Sequence, residues 1–317
     1  QGDPPKPTVM RTFLIRRLLS FFPTMLLFYT LVFVLIQLTP GNPWDTSEKP
    51  FRREVLQALE EKYHYNDPVW KQYVDYLERV FFHFDFGPSY KRNVDANEIV
   101  ERYFPVSLQL GAVAFAIAVV CGVGLGVVSA IKQNTLTDHL AMLFSVIGVA
   151  TPSFVVITLM VIFLAVNLGW LPAFGWDGIF STKIIIPAIA LSLGPMAVIA
   201  RYTRASMLET IRMDFVRTAR AKGLAERPIM VRHALRNALI PVVTVSGLAL
   251  ADLITGSFFV EAIYGVPGIG RYFVSTVADK DYPVLMAVTL LFAALIWLMN
   301  FLADVTYALI DPRVKVG

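Results

Sequence analysis

Six apolar runs, set apart by polar stretches, constrain this chain more than any other feature. They are Leu18–Leu38, Val106–Ala130, Leu140–Val166, Ile184–Ala200, Ile240–Val260 and Val284–Leu302, of 21, 25, 27, 17, 21 and 19 residues. A helix rises about 1.5 Å per residue, so about 20 residues cross a hydrocarbon core roughly 30 Å thick. Hydrocarbon offers no partner to a bare backbone N–H or C=O, so each run has to be helical. The 17-residue run reaches Tyr202 if Arg201 snorkels its charge to the interface. The ten-residue alternation of a membrane β-barrel is absent. The expected fold is an all-α polytopic membrane protein with six transmembrane helices.

Composition agrees. Hydrophobic residues make up 56% of the 317, and charged residues only 16%, against roughly 45–50% and about 25% in ordinary globular domains. A soluble multi-domain enzyme, a disordered chain and a disulfide scaffold are excluded. The single cysteine, Cys121, forms no intrachain disulfide, and four scattered histidines make no metal cluster.

The runs divide the chain. Residues 1–17 are an N-terminal tail and 18–38 the first span. Residues 39–105 form an external segment with short helices, and 106–317 a core. Within the core, spans are expected at 106–130, 140–166, 184–202, 240–260 and 284–302, with a loop at 203–239 and a short tail. Gln1–Val9 is polar and Pro-rich, and Met10-Arg-Thr-Phe has the look of a natural start, so the first nine residues read as a foreign or frayed tail. The first run is too long for a signal-peptide apolar region, and no small-x-small cleavage site follows it.

Six spans put both termini on one side, and basic residues say which. The side of the termini holds 16 Lys and Arg, nine of them within 201–239. The other side holds 12, set among 16 acidic residues. Both termini and the 203–239 loop are therefore expected in the cytoplasm. In the outer segment, Glu54–Tyr63 reads as a short helix, and Asp67-Pro68 as the cap and first residue of another. There Trp70, Tyr73, Val74, Leu77, Val80, Phe81 and Phe84 recur at helical spacing. That stripe packs the helix on the protein's own outer face or in the interface, or seats an external partner.

The loop carries the functional argument. Ser206–Lys222 is rich in helix formers and ends at Gly223, a natural C-terminal cap. A second helix starts at Pro228 and runs to Leu239, before Pro241. Between them lies a tight turn, Gly223-Leu224-Ala225-Glu226-Arg227. The small residues Ala219 and Ala221 would let another protein approach closely, and arginines at 217, 220, 227, 232 and 236 surround the turn. Anionic lipid accounts for the arginines one by one, but lipid attraction does not require a Gly-capped small-residue pattern.

Arg217-Thr218-Ala219-Arg220-Ala221-Lys222-Gly223-Leu224, with Ala225 and Glu226 after it and His233-x-Leu235-Arg236-Asn237-Ala238-Leu239 beyond, resembles the signature loop of bacterial ABC importer inner-membrane subunits. The general Glu-Ala-Ala…Gly…Ile-x-Leu-Pro pattern is replaced in part, in the manner of the dipeptide/oligopeptide (and nickel) permease branch. Phe86-Gly87-Pro88-Ser89-Tyr90, Phe104-Pro105-Val106-Ser107, Ala130-Ile131-Lys132-Gln133-Asn134-Thr135, Gly169-Trp170-Leu171-Pro172, Glu261-Ala262-Ile263-Tyr264-Gly265 and Ile310-Asp311-Pro312 resemble that branch as well, most of all its B-type oligopeptide subunit.

The resemblance implies a type I importer permease fold in a bacterial inner membrane. It implies that residues 217–226 form a coupling helix docking on a separate ATPase. It also implies a second, C-type membrane subunit, two ATPase subunits, an external solute-binding protein, and a peptide, nickel or another small solute as cargo. ATP and Mg would sit on the ATPases. No Gly-Lys dipeptide occurs in this chain, so it carries no phosphate-binding P-loop. No cofactor, metal, nucleic acid or catalytic residue is expected; membrane lipid is.

For the translocation path, Asp252 lies mid-run in the fifth span, where a carboxylate is costly unless it faces protein or water. It either lines the path and meets a peptide amino terminus, or pairs with a neighbouring span. Thr151-Pro152-Ser153 interrupts the third span and marks a kink and a candidate gate. Gly122-x-x-x-Gly126 fits close helix approach. Asn300 and Asp304 are placed to pair with a loop arginine. An ion-driven secondary transporter would need carboxylates in several spans and an internal repeat. An intramembrane enzyme would need a base within the spans, and no histidine lies in any of them.

Overall fold

The computed structural model describes residues 15–40, 44, 60–61, 66–92, 94–255 and 258–310. The expected helix at Glu54–Tyr63 and the tail Gln1–Val9 lie almost wholly outside them. The described elements are α1 (Phe21–Leu38), α2 (Val69–His83), α3 (Ala96–Ile131), α4 (Leu136–Ala150) and α5 (Ser153–Met160), the last continued by wide π-type turns over Val161–Asn167. A 3-10 turn, Thr182–Ile184, leads into α6 (Ile185–Ile211). Then come α7 (Asp214–Ala221), a short turn Glu226–Pro228, π-type turns over Ile229–Leu235, α8 (Arg236–Thr255), α9 (Phe258–Tyr264), α10 (Gly270–Asp279) and α11 (Tyr282–Ile310). Among the described residues there is no β-strand, only an isolated bridge between Pro88 and Asp95.

Among the described residues, four helices are long and apolar enough to cross a bilayer: Ile15–Leu38, Ala96–Ile131, Thr182–Ile211 and Tyr282–Leu302. The run 140–166 is two helices, Leu136–Ala150 and Ser153–Asn167, bent by 107° and able to make a fifth span together. The break has a local cause. A residue before proline is driven out of the helical region, and Thr151 is extended, with ψ 118°. Pro152 is extended too, and its carbonyl starts the next helix by accepting from Val155 and Val156 at 3.0 and 3.2 Å. The run 240–260 begins within α8. That helix passes through Pro241 rather than starting after it, so the loop helix expected to stop at Leu239 continues into the span.

The chain divides into two compact units. The first comprises Gln1–Arg17, Val106–Pro267 and Ile296–Gly317. Its main core gathers Leu110 and Ala114 of α3, Ile157 of α5, Ile186, Ala188 and Leu191 of α6, and Val260 and Tyr264 of α9. Tyr264 donates its hydroxyl to the Pro172 carbonyl at 2.7 Å, and its own carbonyl accepts from Gly175 at 2.8 Å. Gly122 and Gly126 place α3 directly on α6. A Cβ on Gly122 would lie 2.7 Å from the Met196 carbonyl oxygen, and one on Gly126 2.5 Å from that of Ala200. Asp304 pairs with Arg17 rather than with a loop arginine.

The second unit comprises Leu18–Pro105 and Gly268–Leu295. Here α2 packs on α1 through Tyr29, Val32, Phe33, Tyr73, Tyr76 and Val80. Tyr29 donates to the Tyr73 carbonyl at 2.7 Å, and Tyr73 and Thr30 share a hydroxyl hydrogen bond of 2.8 Å. The carbonyl of Pro68, not the Asp67 side chain, opens α2; the Asp67 carboxylate instead accepts from Lys71 at 2.8 Å. The turn at Ser89–Arg92 is fastened to Asp281, which is fully buried. Asp281 accepts from Ser89 Oγ at 2.5 Å, the Tyr90 N–H at 2.9 Å and Arg92 at 3.0 Å.

Candidate functional site

The segment Arg212–Leu239 of the first unit is built as a stiff bracket. The single helix expected over Ser206–Lys222 is two. α6 ends at Ile211, its last turn tightened by bonds from Arg212 to Glu209 and Met213 to Thr210, both 3.1 Å. Met213 is then extended, with ψ 152°. Neither Gly nor Pro causes this break. It turns the chain so that Val216 and Ala219, three apart on α7, bury against Ile229 and Met230. Tertiary burial overrides good local helix propensity here.

The end of α7 is a Schellman cap. Leu224 N–H bonds the Ala219 carbonyl at 3.4 Å and Gly223 N–H bonds that of Arg220 at 2.9 Å. The motif needs a left-handed residue between them, and Gly223 has φ +76°. Across the turn, Arg220 grips Glu226 with two prongs, Nε to Oε1 at 2.8 Å and Nη2 to Oε2 at 3.2 Å. This hydrogen-bonded guanidinium holds the Glu226 carboxyl below the usual carboxylate range.

The bracket is tied to the spans. Met230 also packs in a cluster of Ala130 of α3, Met207 of α6, and Ala234 and Ala238 on the way into α8. Close by in sequence, Arg204 of α6 bonds Asp138 of α4 at 2.7 and 2.8 Å, and Asp138 also accepts from Ser129 of α3 and from the Asn134 N–H at 2.9 Å. Three helices thus meet at one buried carboxylate. Sequence reasoning missed this node; its only local signal is an Asp three residues after Thr135, in the first turn of an apolar helix.

Of the residues singled out from the sequence, Arg217, Thr218, Arg220, Ala221, Lys222, Gly223, Leu224, Ala225 and Glu226 are all exposed and form one continuous surface. Ala219 differs. Expected to admit a partner, it is turned inward instead, with Val216. Arg217 lies 3.5 Å from Asp214, and among the described residues no carboxylate pairs with Lys222, Arg227, Arg232 or Arg236. The surface is therefore cationic, small-featured at Gly223 and Ala221, and backed by rigid packing.

The path residues are less complete. Thr151 closes α4 with its hydroxyl on the Ile147 carbonyl at 2.8 Å, Pro152 is exposed, and Ser153 opens α5. Asp252 falls within α8, but its side chain lies outside the described residues. Near it, Val242, Val243, Ser246 and Leu250 of α8 face Val119 and Val123 of α3 across an almost wholly apolar cavity of about 550 Å³. Ser246 turns its hydroxyl back onto the Val242 carbonyl at 2.7 Å.

Similarity to known proteins runs along the whole chain. Residues 122–316 match the family described as binding-protein-dependent transport system inner membrane component, and residues 10–111 match the N-terminal model of such components. The oligopeptide transport system permease protein OppB of Salmonella typhimurium is 47% identical over 307 residues, 96% of this chain and 100% of that one. The dipeptide transport system permease protein DppB of Bacillus subtilis is 44% identical over 308 residues, 97% and 99% of the two chains. Among solved structures, the inward-facing MetNI methionine ABC transporter superposes with a TM-score of 0.54 at 19% identity, covering 67% of this chain and 96% of that one. An amino acid ABC transporter with histidines gives 0.52 at 15%, covering 67% and 94%. These two share the fold. The protein is a multi-pass inner membrane protein, and it belongs to the binding-protein-dependent transport system inner membrane component family.

Proposed function

We propose that this chain is a permease subunit of an ATP-driven importer of oligopeptides or dipeptides, contributing half of the translocation path. The observation that carries the cargo is the 44–47% identity along nearly the full length of oligopeptide and dipeptide permeases. Its partners are a second, C-type membrane subunit, two ATPase subunits that bind ATP and Mg, and an external solute-binding protein. Both termini and residues 203–239 face the cytoplasm, in keeping with the basic residues gathered there.

The bracket around Gly223 is suited to transmit motion. A rigid-body shift reaches a gate only if the element that is pushed does not yield. α7 is short, capped, braced by Arg220–Glu226 and packed through Ile229 and Met230 toward α3, α6 and α8. An ATPase that grips residues 217–226 would move those spans together. Asp252 and the Thr151-Pro152-Ser153 break are the path residues on this reading.

The test is uptake by proteoliposomes holding the complex isolated through a tag on this chain. Labelled tripeptide should enter only with ATP and the solute-binding protein present. Nickel uptake without peptide uptake would replace the cargo. Uptake driven by an ion gradient without ATP would overturn the importer reading.

A further inference from the structure

α2 carries two adjacent apolar seams, and the second is only partly used by the protein. Tyr73, Tyr76 and Val80 bury against α1. Trp70, Val74, Leu77 and Phe81 recur every three or four residues on the neighbouring line; Leu77 and Phe81 also pack against the α1 cluster, but Trp70, 70% exposed, and Val74, 50% exposed, stay bare. An apolar arc this wide on a charged helix is how an amphipathic helix meets lipid.

The depth of α2 decides between water and lipid. The apolar run Leu18–Leu38 makes about 31 Å of helix, which matches a hydrocarbon core of about 30 Å and puts Leu38 at its edge. Tyr29 lies nine residues in from Leu38, about 13 Å below that edge at 1.5 Å per residue. Yet Tyr29 is the residue that holds α2. Its hydroxyl bonds the Tyr73 carbonyl, and its ring lies 6.1 Å from that of Tyr76 and 5.9 Å from that of Phe81. At the start of α2 a contact reaches the edge, where Gln37 Nε2 donates to Gln72 Oε1 at 3.2 Å.

Of the charges of α2, Lys71 pairs with Asp67 near the start of the helix, Asp75 and Arg79 border a cavity, and Glu78 is exposed on the arc between them and the bare flank. Asp75 and Arg79 are among the lining residues of this cavity of about 490 Å³ within the second unit, together with Gln37, Asp67 and Gln72. Most of its remaining wall is apolar, but a recess of that size with these polar groups in it holds water, so Asp75 and Arg79 stay hydrated while the opposite flank faces outward. Non-spanning structure is tolerated at membrane depth where its polar groups line a wet cavity.

We infer that α2 is a lipid-immersed helix, its Trp70–Val74 flank set among the acyl chains of the leaflet next to Leu38. The bare flank continues the lipid-facing surface of α1, where Leu27, Leu31 and Leu35 are exposed. This inference needs only that α1 spans the bilayer, so it stands apart from the cargo assignment.

The test is spin-label accessibility in the intact complex held in lipid nanodiscs. With Cys121→Ser removing the native thiol, a nitroxide is placed in turn at Trp70→Cys, Val74→Cys and Asp75→Cys. At positions 70 and 74 collisions with oxygen should exceed those with a water-soluble nickel chelate, and at 75 the ratio should invert. Nickel dominating at 74 would put the flank in water. Exclusion of both reagents at 70 and 74 would mean that a protein partner covers it. Either result overturns the inference.

Discussion

Asp138 and Arg204, 66 residues apart, meet in a two-pronged ion pair with Asp138 only 3% exposed. The pair joins the first turn of α4 to α6, seven residues before α6 ends at Ile211. Arg204→Met should leave the carboxylate with Ser129 and the Asn134 N–H alone. Breaking one side of a buried pair costs about 3–5 kcal/mol. The unfolding midpoint of the purified complex should fall accordingly. Arg204→Met combined with Asp138→Asn should recover much of the loss, since no charge is then stranded. A double change as damaging as the single one would show that the charge pairing is not what holds these helices.

Gly126 faces the α6 backbone with no room for a methyl group, its Cβ position lying 2.5 Å from the Ala200 oxygen. Gly126→Ala should therefore force α3 and α6 apart and cost about 1–3 kcal/mol as overpacking. Gly124→Ala is the control, since its Cβ would meet nothing within 4 Å. Replacing a helical glycine by alanine there should be neutral or stabilising by up to about 1 kcal/mol. Thermal unfolding of the two variants in the same detergent separates them. Equal midpoints would contradict the close approach.

What could be read from the sequence follows the range of the forces. The apolar runs were legible because hydrocarbon permits only helix there, and Gly122-x-x-x-Gly126 because small residues serve one purpose in such a run. The Gly223 cap was legible because a left-handed residue limits the choice of side chain. Pro152 announced a break, but its 107° angle depends on how α4 and α5 pack. The break at Arg212–Met213 left no local mark, because burial of Val216 and Ala219 on Ile229 causes it. The outer motif Phe86–Tyr90 was recognisable by resemblance. Its physical reason lies 191 residues away, at Asp281, which takes the Tyr90 N–H. Contacts of that separation leave no periodicity to read.

Gly223 separates backbone strain from partner contact. Its φ of +76° disfavours any side chain by about 1–2 kcal/mol, least for Asn. A Cβ there would nevertheless enter open space. Gly223→Asn should thus keep both ATPase activity and uptake near the parent's. Gly223→Trp should leave the protein inserted and assembled in amount, yet uncouple ATP hydrolysis from uptake, because the indole projects from the exposed surface. Vesicle assays of hydrolysis and uptake on both variants decide it. Normal uptake by Gly223→Trp would remove residues 217–226 from the coupling surface.

The Arg220–Glu226 brace gives the same turn a pH dependence of known sign. Glu226 has its pKa lowered by the hydrogen-bonded Arg220 guanidinium. A carboxyl of lowered folded pKa stabilises above its unfolded value, about 4.3, and loses that contribution as pH falls through the folded one. Protection of the Gly223 and Leu224 amides against hydrogen exchange, after correction for intrinsic rates, should stay level from pH 8 to about 5 and decline below the carboxylate range. Glu226→Gln should bring the acid behaviour to neutral pH, with faster exchange at those two amides and no change in α11. Both side chains are exposed, so the effect is confined to the turn and is screened by salt. A Glu226→Gln protein whose amides exchange as slowly as the parent's at pH 7 would show that the Schellman bonds hold the turn unaided.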